Sequence, residues 1–507
     1  MRSVIANRAI SLAVLVVAVA AAAGLSMWKH TVTLAANAPQ PQRHSAPVNT
    51  VLRGCPAPGL AGAPASRVAL IAGPDAGGSG RAVVSRIGDA TGTPLASLAK
   101  PGALTVTDVH PAAARGRGKT PAPAPAPTGQ PAVTTPAAGG VVIQASGAMA
   151  RGLAAEQVLP GGKISARCGD PGTDFWFLSP GAFSIAHIQL YLMNVASQPA
   201  AVDVQAYTDA GPLQGSPDTG VAVAPHSMVT QSLGKMLRGT RMVALNVRTS
   251  VGQVVAAVEE TTGRARSGAW LPGSAAPGTR IVIPGMPPTA GTRQLFITVP
   301  GTHDAHITLS AVTDKGSYHP TGGAGLDIPG GSVVQVSLSS LSGLFGALQI
   351  SSSVPVTASL MMRGGPNGTP GVFSAAVPAL QQQGVVAVNE TGGGAASSLV
   401  LSAPWRGARV RVTEIGSGGA QAAPGSVVAV PAHRSVLQQL STPSGERRGS
   451  AFAVVILPLP GSGPVYAGRV VMSSGRGGSL QSILPVSSAL TVVPLPGVQG
   501  ALVTAGR

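Results

Sequence analysis

The feature that most limits what this chain can fold into is a pattern of strand-like segments that recurs about every hundred residues. Pro225, Pro329 and Pro431 each begin the same piece of the pattern, a turn followed by a strand. They are separated by 104 residues (329 − 225) and 102 residues (431 − 329). Self-similarity at a fixed period indicates one structural unit per repeat. The part of the chain after residue 174 therefore contains three similar units.

Within each unit, short apolar or alternating segments are separated by turn residues about every 8 to 12 positions. Between 306 and 311, for example, Ile307, Leu309 and Ala311 alternate with polar residues, so one face of a strand points inward and the other toward water. Roughly six or seven such strands per unit are typical of an immunoglobulin-like β-sandwich. A β-propeller is the alternative, but its blades are only about 40 to 50 residues long. We therefore predict an all-β fold of tandem immunoglobulin-like β-sandwich repeats.

The pattern and the composition together divide the chain into segments. Residues 111–140 consist almost entirely of Pro, Ala, Gly and Thr, which is typical of an extended, solvated insert. The predicted segments are 1–30, a cytoplasmic tip and transmembrane signal anchor; 31–47, a stalk; 48–174, an irregular first β unit that contains the insert; 175–268, sandwich repeat 1; 269–372, sandwich repeat 2; and 373–507, sandwich repeat 3 with the C-terminal strands.

The N-terminus contains a charge-free, mostly apolar stretch from Ala9 to Met27, preceded by Arg2 and Arg8. As a helix with a rise of 1.5 Å per residue, about 19 residues nearly match a hydrocarbon core of roughly 30 Å. Basic residues stay on the cytoplasmic side, so the bulk of the chain is expected outside the cell membrane as a single-pass protein. The alternative is a cleaved signal peptide, with a cleavage site at 36–38 (Ala-Asn-Ala).

Cys55 and Cys168 are the only two cysteines. In an exported chain, such a pair indicates one disulfide, which we expect to tie the first extracellular segment to the next domain across the Pro/Ala-rich insert. Closing so long a loop stabilises a fold by up to about 4 to 5 kcal/mol in the chain-entropy model.

The net charge of +17 reflects scarce acids, 17 Asp and Glu, as much as 34 Lys and Arg. A positive field attracts polyanions such as anionic lipids or phosphate-rich wall polymers. The same composition also follows from GC-rich codons. The bases are scattered and no basic run is interleaved with aromatic residues, so a nucleic-acid partner is not expected.

No catalytic motif is present: the sequence contains neither a G-x-S-x-G elbow, nor H-E-x-x-H, nor a P-loop. Two clusters have the residue types of a metal site, but we interpret the first as solvated surface histidines and the second as a turn. They are His303, Asp304, His306 and His319, and the pair Asp170 and Asp174. We therefore predict no catalytic, cofactor-binding or metal-binding residues.

Two further sets of residues are of types that act on or bind glycans. Glu259 and Glu260 are adjacent, so on a strand they point in opposite directions and do not face each other as glycosidase carboxylates do. We expect them to end a strand in solvent. Trp176, Trp270 and Phe373 recur at the start of their units, which favours packing in the core over a platform for sugars.

The G-C-P-A-P motif at Gly54–Pro58 and the R-C-G motif at Arg167–Gly169, together with the apolar N-terminus and the recurrent apolar strands that end in proline, resemble an uncharacterised family. It is the family called domain of unknown function 5719, exported proteins of actinobacteria. The resemblance covers most of residues 48–507 and implies an envelope location. It supplies no catalytic residues, and the long insert departs from its pattern.

From these observations we expect a non-enzymatic, membrane-anchored protein of the cell envelope, a scaffold for a wall polymer or a partner protein. One alternative is an enzyme that acts on envelope glycans or phosphate polymers through residues that converge only in space. The other is a purely electrostatic polyanion binder. No cofactor is expected.

Overall fold

The computed structural model describes residues 45–495, except for 57–65, 75, 90–92, 111–138, 159–164, 183, 184, 186, 214–219, 262–267, 364–370, 393, 418, 420–424, 448 and 474–479. The predicted anchor, nearly all of the stalk and nearly all of the insert lie outside the described residues. Within the described part, no helix is long and apolar enough to cross a membrane.

The described residues form strands and two single 3₁₀ turns, Ala148–Ala150 and Ser339–Leu341, so the prediction of an all-β fold is confirmed. Most strands belong to four consecutive β-sandwiches, each made of two antiparallel sheets, and this arrangement is not that of a β-propeller. The sequence explains this fold. Its segments are rich in β-branched residues, alternate between apolar and polar positions and are separated by turns, so each forms a strand that buries one face.

The first and last strands, β1 (Ser45–Pro47) and β35 (Val492–Pro494), pair with each other. The first sandwich contains β2 (Thr50–Cys55), β3 (Ser66–Ile71), β4 (Gly80–Arg86), β5 (Ala96–Ser97), β6 (Thr105–Val109), β7 (Val141–Gly147), β8 (Ala154–Val158) and β9 (Ser165–Arg167). The second contains β10 (Asp174–Pro180), β11 (His187–Asn194), β12 (Ala200–Thr208), β13 (Gly211–Pro212), β14 (Val221–Val223), β15 (Ser227–Ser232), β16 (Met242–Val251), β17 (Val255–Thr261) and β18 (Gly268–Leu271). The third contains β19 (Gly278–Met286), β20 (Thr292–Thr298), β21 (Ala305–Thr313), β22 (Gly316–Tyr318), β23 (Leu326–Ile328), β24 (Val333–Ser337), β25 (Gly346–Arg363) and β26 (Val372–Ala375). The fourth contains β27 (Gly384–Asn389), β28 (Ala395–Ala403), β29 (Ala408–Ile415), β30 (Ser426–Val430), β31 (Arg434–Gln439), β32 (Phe452–Pro458), β33 (Tyr466–Ser473) and β34 (Leu480–Val486).

All four sandwiches have the same strand order. We call one sheet the front sheet; in the first sandwich its order is β2-β7-β4-β5, and it recurs as β10-β16-β12-β13, β19-β25-β21-β22 and β27-β32-β29-β30. The other is the back sheet, β6-β3-β8-β9 in the first sandwich, then β15-β11-β17-β18, β24-β20-β25-β26 and β31-β28-β33-β34. In the third sandwich one long strand, β25, runs through both sheets.

The front sheet of each sandwich packs on the back sheet of the next. At the contact between the second and third sandwiches, Leu178 and Ala244 share an apolar cluster with Phe296 and Met361. At the contact between the first and second, Ile87 packs against the cluster of Tyr191, Met193 and Met228 from the back sheet of the second sandwich. At the contact between the third and fourth, Gly285 and Gly468 approach so closely that a Cβ on Gly285 would lie 3.2 Å from the Cα of Gly468.

The same pairing joins the fourth sandwich back to the first, which closes a ring. Val385 and Val455 of the fourth front sheet share an apolar cluster with Ala69 and Ala154 of the first back sheet. A buried Glu156 Oε1 of β8 accepts a hydrogen bond of 2.6 Å from the backbone of β27, and its Oε2 lies 3.5 Å from Nη2 of the buried Arg469. Residues Pro47–Val493 accordingly form one compact unit.

The recurring prolines mark a turn that enters β15, β24 and β31 of the second, third and fourth sandwiches. One or two residues after the proline, the backbone takes a positive φ: 48° at His226, 75° at Gly331 and 59° at His433. The backbone amides of these residues donate to the carbonyls of Ala196, Val299 and Ala403, at 3.3, 2.7 and 2.8 Å respectively. These carbonyls lie at or just after the last residue of β11, β20 and β28. The period of about one hundred residues is therefore the repeat of this turn.

The disulfide joins Cys55 and Cys168, as predicted. Both cysteines are buried in the core of the first sandwich, where Cys55 ends β2 of the front sheet and Cys168 follows β9 of the back sheet. The expectation that the bond ties one domain to the next was wrong, because it joins the two sheets of one sandwich. The predicted division at 268 and 269 falls inside β18, which pairs with β17 of the second sandwich.

Candidate functional site

A cavity of about 290 Å³ lies where the four sandwiches meet. Its walls come from four parts of the chain, which are 165–170 of the first sandwich, 174–177 with 256, 257 and 270–274 of the second, Val377 after the third, and 483–487 of the fourth. We call it the central cavity. It exists because the last strands of the first, second and fourth sandwiches, β9, β18 and β34, converge there, so no single sandwich could form it.

Aromatic side chains form one wall of the central cavity: Phe175, Trp176, Phe177 and Trp270. The chain has only 15 aromatic residues, 4 Trp, 4 Tyr and 7 Phe, so this wall is a concentration of a rare residue type. Outside the wall, Tyr207 stacks on Trp176 with ring centroids 5.7 Å apart. Tyr191 packs on Trp270 with ring centroids 5.3 Å apart.

Both tryptophans of the wall are buried. Trp176 is 5% exposed and Trp270 is 9% exposed, so most of each ring is packed against the protein. The indole nitrogen of Trp176 is buried and has no hydrogen-bond partner. A buried donor without a partner costs free energy.

Three charged residues line the same cavity: Arg167, Asp170 and Asp174. Arg167 donates from Nη1 to the backbone oxygen of Ser487 at 3.3 Å, and burial lowers the pKa of its guanidinium while Glu156 raises it. Asp170 forms an ion pair with Arg53, whose pKa is lowered to about 9 by burial and by Arg167.

Asp174 accepts a hydrogen bond of 2.6 Å from Nδ2 of Asn246, a buried side chain on the neighbouring strand β16. Asp170 is thus held by Arg53 of the first sandwich, and Asp174, the first residue of β10, is held by Asn246 of the second. Both aspartates lie at the cavity wall.

The R-C-G motif positions this wall. Arg167 and Gly169 line the cavity, and Cys168 between them is fixed by its disulfide. Gly169 also exchanges two backbone hydrogen bonds with Gly54, of 2.8 and 3.0 Å. The two motifs that were 113 residues apart in sequence are therefore adjacent at one side of the cavity.

The histidine cluster lies elsewhere, on the surface of the third sandwich. His306 Nδ1 is 2.8 Å from Asp327 Oδ1, Asp304 accepts a backbone amide at 2.9 Å, and His319 Nδ1 is 2.7 Å from the Leu309 oxygen. In the part of the chain that the structure describes, no group of three His, Cys, Asp or Glu residues could hold a metal ion.

The expectation that Glu259 and Glu260 end a strand in solvent was wrong, because both are buried in β17. Tyr191 donates to Glu259 Oε2 at 2.7 Å. Burial raises the pKa of Glu259 to about 7, against the lowering effect of the Tyr191 hydrogen bond, and raises that of Glu260 to about 8, against the lowering effects of Arg363 and Ser179. Neighbouring residues do point to opposite faces, but both faces of this sheet are covered, one by its own sandwich and one by the first sandwich.

Comparison with known proteins places the chain in a family. The model of a family described as a family of unknown function, DUF5719, matches residues 126–440, which is more than half of the chain. This range includes the R-C-G motif, the whole aromatic wall and both aspartates. No curated protein matches the chain significantly.

Proposed function

Because the chain belongs to the DUF5719 family, whose function is unknown, we propose its function from the central cavity. We propose that it is a non-enzymatic protein of the cell envelope, anchored in the membrane by its N-terminus, and that the ring of sandwiches binds a wall glycan in the central cavity.

The observation that carries this proposal is the aromatic wall next to polar groups of both signs. Sugar rings have apolar faces that pack on aromatic rings and hydroxyl groups that need both donors and acceptors. The four aromatic residues of the wall supply apolar surface, Arg167 supplies donors, and the aspartates supply acceptors. A cavity of about 290 Å³ is close to the lower end of the size range of ligand pockets, which is about 300 Å³. It suits one or two sugar units.

Two further features support the envelope location. A disulfide buried in the first sandwich fits an oxidising compartment outside the cytoplasm. The apolar stretch from Ala9 to Met27 has the length of a membrane span and carries basic residues on its N-terminal side, as a signal anchor does.

Tryptophan fluorescence of the full-length protein tests the proposal directly. Glycan fragments released from isolated cell wall should change the emission of Trp176 and Trp270, and the change should be lost in the variant Trp270→Phe combined with Trp176→Phe. The matched control is Trp405→Phe, which removes a tryptophan of the fourth sandwich that packs on Tyr466 away from the cavity. An emission change that survives the double variant and disappears in the control would contradict the proposal.

An enzyme acting on envelope glycans is a second candidate, because two carboxylates, Asp170 and Asp174, line one cavity. Glycoside hydrolysis uses such a pair across the scissile bond. Here each carboxylate is already held, by Arg53 and by Asn246, which favours a binding role. Release of reducing ends from wall glycan by the intact protein, abolished in Asp174→Asn, would favour the enzyme instead.

A further inference from the structure

A second concave site lies at one end of the fourth sandwich, away from the central cavity. Three turns meet there: 404–408 between β28 and β29, 431–433 between β30 and β31, and 459–465 between β32 and β33. They enclose a groove of about 290 Å³. Arg409 lines it, and Arg406 closes one side by donating from Nη2 to the backbone oxygen of Ser462 at 3.3 Å. We call this the basic groove.

The three turns and the strand ends next to them contain no acidic residue and four basic ones, Arg406, Arg409, His433 and Arg434, of which Arg409 lines the groove. All four are exposed. Among the described residues, none of the three arginines forms an ion pair. Exposed guanidinium groups with no carboxylate beside them leave a positive potential, which focuses anions in a concave site.

The turn does not require Arg434. The residue after the positive φ is Ser227 in the second sandwich and Ser332 in the third, where the fourth sandwich has Arg434. The histidine is not peculiar to the fourth sandwich, because His226 takes the same place in the second. Something other than the turn therefore accounts for the arginine in the fourth sandwich.

The lining of the basic groove also indicates the kind of ligand. Its floor is made of small or rigid residues such as Gly407, Ala408, Ala429 and Gly461, and it offers no deep apolar pocket for the side chains of a peptide. Guanidinium groups bind phosphate oxygens through paired, charge-assisted hydrogen bonds. We propose that the basic groove binds a phosphate-bearing polymer, independently of the ligand in the central cavity.

The test measures binding of long-chain inorganic polyphosphate to the full-length protein in detergent at several salt concentrations. Arg409→Glu and Arg406→Glu should each weaken binding about tenfold, the loss of one charge-assisted contact. Each should also reduce the slope of log affinity against log salt by about one. The matched control is Arg447→Glu, which makes the same change in charge in the loop between β31 and β32, at the opposite end of the same sandwich.

Parallel titrations with vesicles of phosphatidylglycerol and with poly-glutamate separate the sources of negative charge. The proposal expects polyphosphate to bind most tightly and to be the ligand whose affinity the groove variants reduce. Equal losses in Arg409→Glu and Arg447→Glu would overturn it, because they would show an effect of net charge alone. Tighter binding to vesicles or to poly-glutamate, or unchanged binding in both groove variants, would overturn it as well. An unchanged melting temperature of each variant shows that the fold is intact.

Discussion

Replacing Glu260 by glutamine should remove a large part of the pH dependence of this protein's stability. Glu260 is 4% exposed, its Oε2 has no hydrogen-bond partner, and it pairs in register with Ile188 and Ala269 on β17's two neighbours. Burial raises its pKa from the ordinary value of 4.5 to about 8, although Arg363 and Ser179 act in the opposite direction. Glutamine keeps the size and polarity of the side chain but cannot ionise.

The sign follows from proton binding. Between pH 4.5 and about 8, the folded chain keeps a proton on Glu260 that the unfolded chain releases, so the free energy of unfolding falls as the pH rises. Below this window the penalty is absent, and above it the penalty is complete. At about 1.4 kcal/mol per pKa unit, the full loss is on the order of 5 kcal/mol. Glu259, with a pKa raised to about 7, adds a smaller loss of the same sign.

Urea unfolding followed by tryptophan fluorescence at pH 5, 7 and 9 measures this effect. Glu260→Gln should match the wild type at pH 5 within about 1 kcal/mol and exceed it by several kcal/mol at pH 9. Glu259→Gln is the matched neighbour: it should flatten only the lower part of the curve, and it also loses the carboxylate that accepts the Tyr191 hydrogen bond. A wild-type free energy that is the same at pH 5 and pH 9, or an identical fall in Glu260→Gln, would refute the reasoning.

The remaining predictions concern the ring, the disulfide and the membrane. Arg469→Met leaves Glu156 buried without its charge partner and should lower the free energy of urea unfolding by about 3–5 kcal/mol, and a change near zero would contradict the role of this pair in closing the ring. Gly468→Ala puts a methyl group against the backbone of the third sandwich and should cost about 1–3 kcal/mol in the same assay, whereas Gly234→Ala, with open space around it, should not. Replacing both cysteines by serine should lower the melting temperature, by an amount equivalent to as much as about 4 to 5 kcal/mol. Full-length protein should sediment with membranes on cell fractionation, and a soluble, shortened product would contradict the anchor.

Much of the fold was predictable because it depends on local rules. Alternating apolar residues and turn signals predicted strands and sandwiches, and the repeated prolines predicted a unit of about one hundred residues. The structure explains the spacing, since His226, Gly331 and His433 occupy the same turn. The disulfide was predictable because only two cysteines exist. The family was predictable from short motifs, which the structure brings together beside one cavity.

The candidate site was not predictable in the same way. Trp176 and Trp270 are buried, in agreement with the predicted packing, but they also line one wall of a cavity whose existence depends on how the sandwiches meet. The sequence predicts solvent exposure for Glu259 and Glu260 because a strand at the surface of a single sandwich has one face exposed to solvent. In a ring, the next sandwich covers that face, so the residues that alternate with the core residues are buried as well.

The sequence by itself determined which residues form strands, where each sandwich turns and which cysteines pair, because these depend on side-chain periodicity and turn chemistry within one unit. Only the tertiary structure decided that the fourth sandwich packs on the first, that a cavity lies at their meeting point and that three turns enclose a groove lined by Arg409. Those features come from contacts between residues as far apart as Glu156 and Arg469. Such contacts depend on the complementary shapes of whole sheets, which no local pattern encodes.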